Sequence, residues 1–228
     1  MATLRETIVQ VEALHFLRNR YRRRAWRGRI FAQTEVRTRR EHGGKRADGL
    51  IAYRRFWGRV EVIAIEAKSF KTLPAMKPEL KISWLVWNSI KAGLMIALVT
   101  GAFCVFYKFD DWTSRILIPL NIFGAGGLLY GLLTFRSYQH CEIPVIDQLR
   151  QYPGNEQWLA FSKDSLQAVS KKKMSDMKAI CKAKGIGILS VSPRGSVRIL
   201  VEARHRYKFL GDYLTYYSNE AEIRRDIG

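Results

Sequence analysis

The residues best suited to do chemistry lie near the end of an apolar run, VEVIAIEAKSF, from Val60 to Phe70. The first half of the run has the composition of a buried strand, and Glu66 and Lys68 follow near its end. Side chains two apart on a strand project to the same face, so the acid and the amine are expected to lie together. Another acid, Asp48, precedes Glu66 by 18 residues and opens the apolar run DGLIAY.

Two carboxylates and an amine at one edge of a sheet predict a metal site. If the two runs pair through the turn from Arg54 to Arg59, Asp48 lies close to Glu66 and Lys68. Carboxylates held close together repel each other unless a hard cation lies between them, which predicts Mg²⁺ or Mn²⁺ with oxygen ligands. The metal would stabilise charge on a phosphate, and Lys68 would orient or help to deprotonate a water molecule. The alternative is a surface ion pair at a strand end, worth about 0 to 1 kcal/mol.

The segments RADGLIAY and VEVIAIEAKS together resemble the D-(x)n-E-x-K core of the PD-(D/E)XK nuclease superfamily, the restriction-endonuclease-like fold. The resemblance extends over the leading helix and over the later segment MKAICKAKGIGILSV. It implies a mixed sheet flanked by helices and an enzyme that hydrolyses phosphodiester bonds in DNA. The chain departs from the family pattern at Ala47, where proline is usual, and in the long apolar segments that follow the catalytic strand.

The resemblance also implies roles for individual residues. The implied metal ligands and catalytic amine are Asp48, Glu66, the backbone carbonyl of Ala67, and Lys68. Many members of the superfamily add a glutamate from the leading helix near the metal. Glu12, beside Val11, is the first candidate for that ligand here, and Glu6 is the second.

The charge of the chain indicates a polyanionic partner. With 39 Lys and Arg against 20 Asp and Glu, the formal charge is +19, which suits nucleic acid, DNA in the case of a nuclease, or an anionic membrane surface. The arginine cluster consists of Arg18, Arg20, Arg22, Arg23, Arg24, Arg27 and Arg29. It would contact either phosphates of nucleic acid or anionic lipid, at roughly 1 kcal/mol per residue near a membrane surface. The expected nucleic-acid contacts are Arg20, Arg22, Arg23, Arg24, Arg27, Arg29, Lys45 and Arg46.

Two apolar blocks predict a transmembrane hairpin within residues 82–136. Residues 116–135 carry no charge over about twenty positions, the length a helix needs to cross the hydrocarbon core. Residues 84–107 are interrupted only by Asn88 and Lys91, near the start. Basic flanks predict a two-pass protein of the cell (inner) membrane with both termini in the cytoplasm. Gly93, Gly127 and Gly131 would allow close helix packing, either within the hairpin or between two copies in a homodimer.

The remaining segments, 1–78 and 137–228, are expected to form one discontinuous α/β domain with nuclease-like architecture. An amphipathic helix is expected from Leu4 to about Arg24, with an apolar face of Leu4, Ile8, Val11, Leu14, Leu17 and Tyr21. Strands are expected at 30–38, 47–53 and 60–67, before the hairpin. After it we expect helices at EIPVIDQLRQY and NEQWLAFSKDSLQAV, a helix at 171–184 capped by Gly185, strands at IGILSV and SVRILVEAR, and a last helix within 207–228.

These observations favour a membrane-anchored, metal-dependent nuclease whose site works close to the bilayer, because the chain enters the membrane some fifteen residues after Lys68. One alternative is a non-catalytic membrane protein that keeps the nuclease fold and binds nucleic acid or a partner. Another is an integral membrane scaffold without a nucleic-acid role. Three cysteines without CxxC spacing predict neither a metal site nor a disulfide framework.

Overall fold

The computed structural model describes residues 4–69, 79–107, 111–135 and 141–228. The chain divides into two compact units. The first, called the α/β unit, consists of Met1–Pro78 and Ile143–Gly228, and the second, called the apolar hairpin, is Glu79–Glu142.

The regular elements are numbered in chain order over both units. The helices are α1 (Glu6–Arg22), α2 (Ile82–Phe106), α3 (Trp112–Thr134), α4 (Pro144–Arg150), α5 (Lys163–Ala168), α6 (Lys171–Lys184) and α7 (Glu220–Ile227). The strands are β1 (Ile30–Arg37), β2 (Arg46–Arg54), β3 (Val60–Lys68), β4 (Glu79–Leu80), β5 (Cys141–Glu142), β6 (Glu156–Ser162), β7 (Gly187–Val191) and β8 (Val197–Val201). Strands β4 and β5 pair with each other within the apolar hairpin.

A six-stranded mixed sheet organises the α/β unit, in the order β1-β2-β3-β6-β7-β8. Neighbours are antiparallel from β1 to β3, parallel from β3 through β6 to β7, and antiparallel again at β8. Strands β3, β6 and β7 therefore finish at one end of the sheet, where β2 begins. We call this the carboxyl end of the sheet, and the expected α/β architecture with a mixed sheet flanked by helices is confirmed.

Strand alternation assigns the buried side chains to two faces. On β3, Ile63, Ile65 and Ala67 pack in the cluster that contains α1. On the other face, Leu50, Ala52 and Val62 pack with side chains near the C-terminus, among them Leu214, Tyr217, Ile223 and Ile227. Because successive side chains alternate, Asp48 on β2 and Glu66 on β3 belong to this second face, opposite α1.

Helix α1 covers the first face with a stripe that only partly matches the expected one. Val9, Ala13, Leu17 and Tyr21 are fully buried at four-residue spacing, whereas two members of the expected apolar face, Ile8 and Val11, are 47% and 54% exposed. Small Ala13 lets the helix lie close to the sheet, so the strongly apolar residues beside the stripe are not needed for burial. The helix was correctly expected, and Leu4, Leu17 and Tyr21 of its expected face are buried, but Ile8 and Val11 are not.

The segment NEQWLAFSKDSLQAV was expected to be a single helix, and this prediction was wrong. Its first part forms β6, which is buried throughout between β3 and β7, and only Lys163–Ala168 is helical. A central parallel strand is covered on both faces, so it lacks the alternation that marks a half-buried strand. Glu, Gln, Leu and Ala favour a helix in isolation, and tertiary packing overrides that preference.

The other elements after the hairpin follow the pattern more closely. Gly185 ends α6 in the left-handed conformation, with φ 71°, as expected of a helix cap. The last helix was expected within 207–228, and only Glu220–Ile227 of that region is α-helical. A short 3₁₀ segment, Leu214–Tyr216, precedes it.

The apolar hairpin contains two helices long and apolar enough to cross a bilayer, α2 and Arg115–Thr134 of α3. Their side chains are mostly exposed. In the most apolar part of each helix, 11% of the residues are buried in α2 and 0% in α3. Glycine permits the close approach of α2 to α3, since a Cβ on Gly93 would lie 2.5 Å from the Phe123 carbonyl oxygen and one on Gly127 would lie 3.1 Å from that of Ser89. These small residues therefore serve packing within the hairpin.

Candidate active site

Asp48 is held at the carboxyl end of the sheet by two contacts. The paired part of β2 and β3 ends at Gly49 and Ile65, which leaves Asp48 beside the last residues of β3. Its Oδ2 accepts a hydrogen bond of 2.7 Å from the Ala67 backbone N–H. Its backbone carbonyl accepts a second one from the Gln10 side chain on α1. The carboxylate of Asp48 is thus held by β3, and its backbone by α1.

Glu66 and Lys68 form a buried pair on the same face of β3. Glu66 is 0% exposed and Lys68 is 7% exposed, and Lys68 Nζ donates a hydrogen bond of 2.6 Å to Glu66 Oε1. The other oxygen, Glu66 Oε2, is buried and has no hydrogen-bond partner in the described part of the chain. A buried oxygen without a partner costs roughly 1 to 3 kcal/mol, so this atom is a candidate ligand position.

The structure brings Glu6 to this group and places Glu12 elsewhere. Glu6 Oε1 lies 4.0 Å from Lys68 Nζ, and Glu6 Oε2 accepts a hydrogen bond of 3.3 Å from Ser69 Oγ. Glu12 instead lies beside Gly195, in a cavity between α1 and β8. Side chains two residues apart on a helix point about 200° away from each other around its axis. Glu12 therefore faces away from the side of α1 that carries Gln10. Glu12 was preferred because of its neighbour Val11, and that neighbour is itself exposed.

Both carboxyl groups have raised pKa values. Burial, with a further contribution from the nearby Asp48 charge, raises the pKa of Glu66 to about 7, and the hydrogen bond from Lys68 opposes this change. Burial also raises the pKa of Asp48, while the hydrogen bond from the Ala67 amide and the charge of Lys68 act to lower it. Two neighbouring acids that resist ionisation in this way favour a bound cation.

Two residues near these acids were missed by sequence reasoning. Gln10 anchors the backbone of Asp48, and it follows Glu6 by one helical turn, a spacing that could have pointed to it. Tyr152 is buried, and its pKa rises to about 12, first through burial and then through the charge of Glu66. Tyr152 lies beyond the apolar hairpin in sequence, and no pattern connects it to β3.

The donor atoms suit a divalent cation that keeps several water ligands. No group of three or more His, Cys, Asp or Glu side chains that could hold a metal occurs among residues 4–69, 79–107, 111–135 and 141–228. Mg²⁺ commonly binds through one or two carboxylates, with water and substrate phosphate completing its coordination. Asp48, Glu66 with its unpartnered Oε2, and the backbone carbonyl of Ala67 fit that description.

Most of the expected nucleic-acid contacts lie at the opposite end of the sheet. Helix α1 starts beside Lys68 and extends for roughly 24 Å at 1.5 Å per residue. Near its far end, Arg24 Nη1 lies 3.9 Å from Glu156 Oε1 at the start of β6, and Arg20 is 2.9 Å from Glu202. The members of the arginine cluster that lie on the exposed surface are Arg18, Arg22, Arg23, Arg24, Arg27 and Arg29.

Lys45 and Arg46 form a second, smaller basic group next to the acids. Both are exposed and shortly precede Asp48 in the chain, and Arg46 Nη1 lies 3.3 Å from Glu35 Oε2. The charge of Arg46 acts to lower the pKa of Asp48, so Arg46 lies within electrostatic reach of the candidate site. The structure thus divides the expected contacts into one group at the acids and another at the far end of α1.

Aromatic side chains accompany the arginine cluster. The Trp26 and Phe56 ring centroids are 4.6 Å apart, the Arg27 guanidinium is 5.7 Å from the Trp26 ring, and Trp57 is 89% exposed. Exposed aromatic rings among arginines suit stacking with bases, and they also suit the interface of an anionic bilayer. Both interpretations of the arginine cluster therefore stay open.

No family model matches the chain, and neither a curated protein nor a solved structure matches it. Its function is accordingly argued from its own residues. The residues that say most about its function are Asp48, Glu66 and Lys68, because strand register and direct contacts bring them together.

Proposed function

We propose that the chain is a membrane-anchored, metal-dependent nuclease that hydrolyses DNA phosphodiester bonds on the cytoplasmic side of the membrane. The observation that carries the proposal is the buried, unpartnered Glu66 Oε2, on the same sheet face as Asp48 and beside the ammonium of Lys68. An α/β unit in which a helix precedes three antiparallel strands supports a restriction-endonuclease-like fold as part of the proposal.

In the proposed mechanism the chain positions a metal and a phosphate. Asp48, Glu66 and the Ala67 carbonyl would hold Mg²⁺ or Mn²⁺, which when bound would supply positive charge to a phosphate oxygen. The hydrogen bonds from the Ala67 amide and Gln10 keep Asp48 from turning away. Lys68 Nζ, next to Glu66, would donate hydrogen bonds to the attacking water or to the phosphate.

The apolar hairpin supports the membrane anchor. Helices α2 and α3 leave large apolar side chains exposed along their length, and such a surface is unfavourable in water but not in hydrocarbon. The basic flanks favour both termini in the cytoplasm. Helix α2 begins 14 residues after Lys68, so the anchor would keep the site within the reach of that segment, at most about 3.5 Å per residue.

DNA is the proposed substrate because of the net charge of +19 and the basic residues Lys45 and Arg46 beside the acids. The arginine cluster lies roughly 24 Å away along α1. A duplex rises about 3.4 Å per base pair, so about seven base pairs would have to lie along α1 to contact both groups. A shorter contact would leave the arginine cluster available for anionic lipid.

One observation favours a second candidate, a non-catalytic membrane protein that keeps this fold to bind nucleic acid or a partner. Over the described ranges no three His, Cys, Asp or Glu side chains are grouped so that they could hold a metal ion, and Lys68 already neutralises Glu66 at 2.6 Å. In this candidate the pair is structural, and DNA binding depends on the arginine cluster and not on metal.

The test is a DNA cleavage assay of the full chain in detergent with Mg²⁺ or Mn²⁺. The proposal predicts cleavage by the wild type and a loss of at least about 100-fold in Asp48→Ala and Lys68→Ala. Glu12→Gln, which changes an acid of α1 that lies beside Gly195 and not beside Lys68, is the matched control and should cleave normally. DNA binding without cleavage, unchanged when metal is removed, would favour the second candidate.

A further inference from the structure

A basic cleft of about 300 Å³ lies between α5, α6, β7 and β8. Three cationic side chains line it, Lys163 from α5, Lys178 from α6 and Arg198 from β8. None of its lining residues is acidic, and its remaining polar lining includes three serines, Ser190, Ser192 and Ser196. Cations from three separate elements thus converge on one cleft.

These cations have no anionic partner among the residues that the structure describes. In the described part of the chain, the side chains of Lys163, Lys178 and Arg198 make no ion pair or hydrogen bond. Arginines elsewhere in the α/β unit are paired, for example Arg39 with Glu220 and Arg224 with Asp212. Like charges that share a cleft repel one another, so an anion bound there would relieve the repulsion.

The serines add hydrogen-bond donors to the charge. Ser192 Oγ and Ser196 Oγ lie 2.7 Å apart and close the turn between β7 and β8. A hydroxyl rotates freely to donate to an acceptor that enters the cleft. Ammonium, guanidinium and hydroxyl donors around a small volume match the several oxygens of a phosphate group.

The cleft shares an end and a face of the sheet with the candidate active site. Phe161 pairs with both Lys68 and Ser190, and Arg198 pairs with Ser190. At about 4.8 Å per strand, the strand positions that carry the cleft lie roughly 10 to 14 Å from Lys68 along the sheet. Leu189 packs on the α1 side, so Ser190 belongs to the opposite face, as Glu66 does.

We propose that this cleft binds a backbone phosphate of the DNA strand, about two nucleotides from the bond that is cut. Because a strand winds around the duplex axis, successive phosphates lie about twice as far apart as the axial rise of about 3.4 Å, so roughly 10 to 14 Å spans about two nucleotides. The identity of the polymer rests on the proposed function. A phosphate in the cleft would supply the anionic partner that Lys163, Lys178 and Arg198 lack among the described residues.

The first experiment measures DNA affinity of the full chain in detergent, in an Asp48→Ala background that leaves the DNA intact. The cleft variant combines Lys163→Glu, Lys178→Glu and Arg198→Glu, and a milder version uses Gln at the same positions in case charge reversal impairs folding. The matched control reverses Lys171, Lys172 and Lys173, which are exposed on the first turn of α6 and do not line the cleft. Affinity is measured over a range of salt concentrations.

We expect the cleft variants to bind DNA at least about tenfold more weakly than the control. The slope of log affinity against log salt should fall by about 0.9 for each phosphate that the variant no longer neutralises. Neutral methylphosphonates are then placed at single positions of the DNA. The wild type should lose affinity for DNA modified about two nucleotides from the cleavage point, and the cleft variant should lose no further affinity when that position is modified.

The outcomes separate this proposal from the nuclease itself. If the chain cleaves DNA in an Asp48-dependent manner while cleft and control variants bind DNA equally, the phosphate site is overturned and the nuclease stands. If the cleft variant loses DNA affinity but no condition gives cleavage, the nuclease is overturned and the phosphate site stands. Loss of binding to anionic vesicles, with DNA affinity unchanged, would assign the cleft to a lipid headgroup and overturn the proposal.

Discussion

Lys68 Nζ lies 2.6 Å from Glu66 Oε1, two residues earlier on the same face of β3, and the pair is buried at the carboxyl end of the sheet. Removing two charges from water costs several kcal/mol per ion, which a single contact rarely recovers in stability. The second oxygen of Glu66 has no partner within the described residues, which adds to that cost. A pair of this kind indicates a functional role more than a stabilising one.

The raised pKa of Glu66 predicts how stability changes with pH. Because the folded protein holds the Glu66 proton up to about pH 7 and the unfolded chain releases it near the ordinary pKa of 4.5, the folded state binds more protons between these values. Stability should therefore fall as pH rises through this window, by up to about 3 kcal/mol without metal. Glu66→Gln should flatten the pH dependence of thermal unfolding measured in metal-free buffer, and a Glu66→Gln profile as steep as the wild type would contradict this assignment.

Metal affinity should show the opposite pH dependence. A cation needs ionised Glu66, so Mn²⁺ affinity measured by calorimetry or paramagnetic resonance should rise up to about tenfold per pH unit below 7 and level off above it. Asp48→Asn should weaken binding at every pH. An affinity that does not change between about pH 5.5 and 8 would show that Glu66 is not a ligand.

Glu6 and Glu12 form a matched pair of variants on one helix. Only Glu6 lies near Lys68 and Ser69, so Glu6→Gln should reduce cleavage by about tenfold, while Glu12→Gln should change it by less than about twofold. Rates under saturating DNA separate this effect from substrate binding. A larger loss in Glu12→Gln would mean that the helix presents a different face to the substrate.

The arginine cluster is tested by reversing Arg22, Arg23 and Arg27, which are exposed and lie at the other end of α1 from the acids. If the cluster contacts DNA, the triple variant should bind DNA more weakly and with a reduced salt dependence, by about 0.9 in slope for each phosphate no longer neutralised. Binding to anionic vesicles, measured in parallel, tests the alternative. Loss of vesicle binding alone would assign the cluster to lipid.

The glycines of the apolar hairpin give a stability prediction with an internal control. A Cβ on Gly93 would lie 2.5 Å from the Phe123 carbonyl oxygen, whereas one on Gly124 would meet nothing within 4 Å. Gly93→Ala should therefore lower stability in detergent by about 1 to 3 kcal/mol, because α2 must move away from α3. Gly124→Ala should unfold as the wild type does, and equal effects at both positions would contradict the packing described for the hairpin.

The sequence predicted the part of the site that depends on local geometry. Alternation on β3 and a short turn between β2 and β3 are enough to place Asp48, Glu66 and Lys68 together. The residues that α1 contributes to the site were harder to predict. The buried face of α1 contains Ala13 and Gln10, and it looks less apolar in the sequence than the exposed face with Ile8 and Val11. Residues such as Tyr152 reach the site only through tertiary folding after the hairpin.

Strand β6 likewise could not be predicted from its own sequence, because tertiary packing decides its conformation. Its sequence, EQWLAFS, contains good helix formers and no alternation, and only its place between two parallel strands makes it extended. The apolar hairpin lies at the other extreme. Its two long apolar runs could be recognised from composition alone, and the helices begin two to four residues earlier than expected.

The most direct measurement of the central claim is the single-turnover rate of DNA cleavage by the full chain in detergent, with DNA already bound and Mg²⁺ added to start the reaction. The proposed function predicts that wild type cleaves, and that Asp48→Ala and Lys68→Ala bind DNA within about threefold of wild type yet cleave at least about 100-fold more slowly. Cleavage at the wild-type rate in both variants would contradict it.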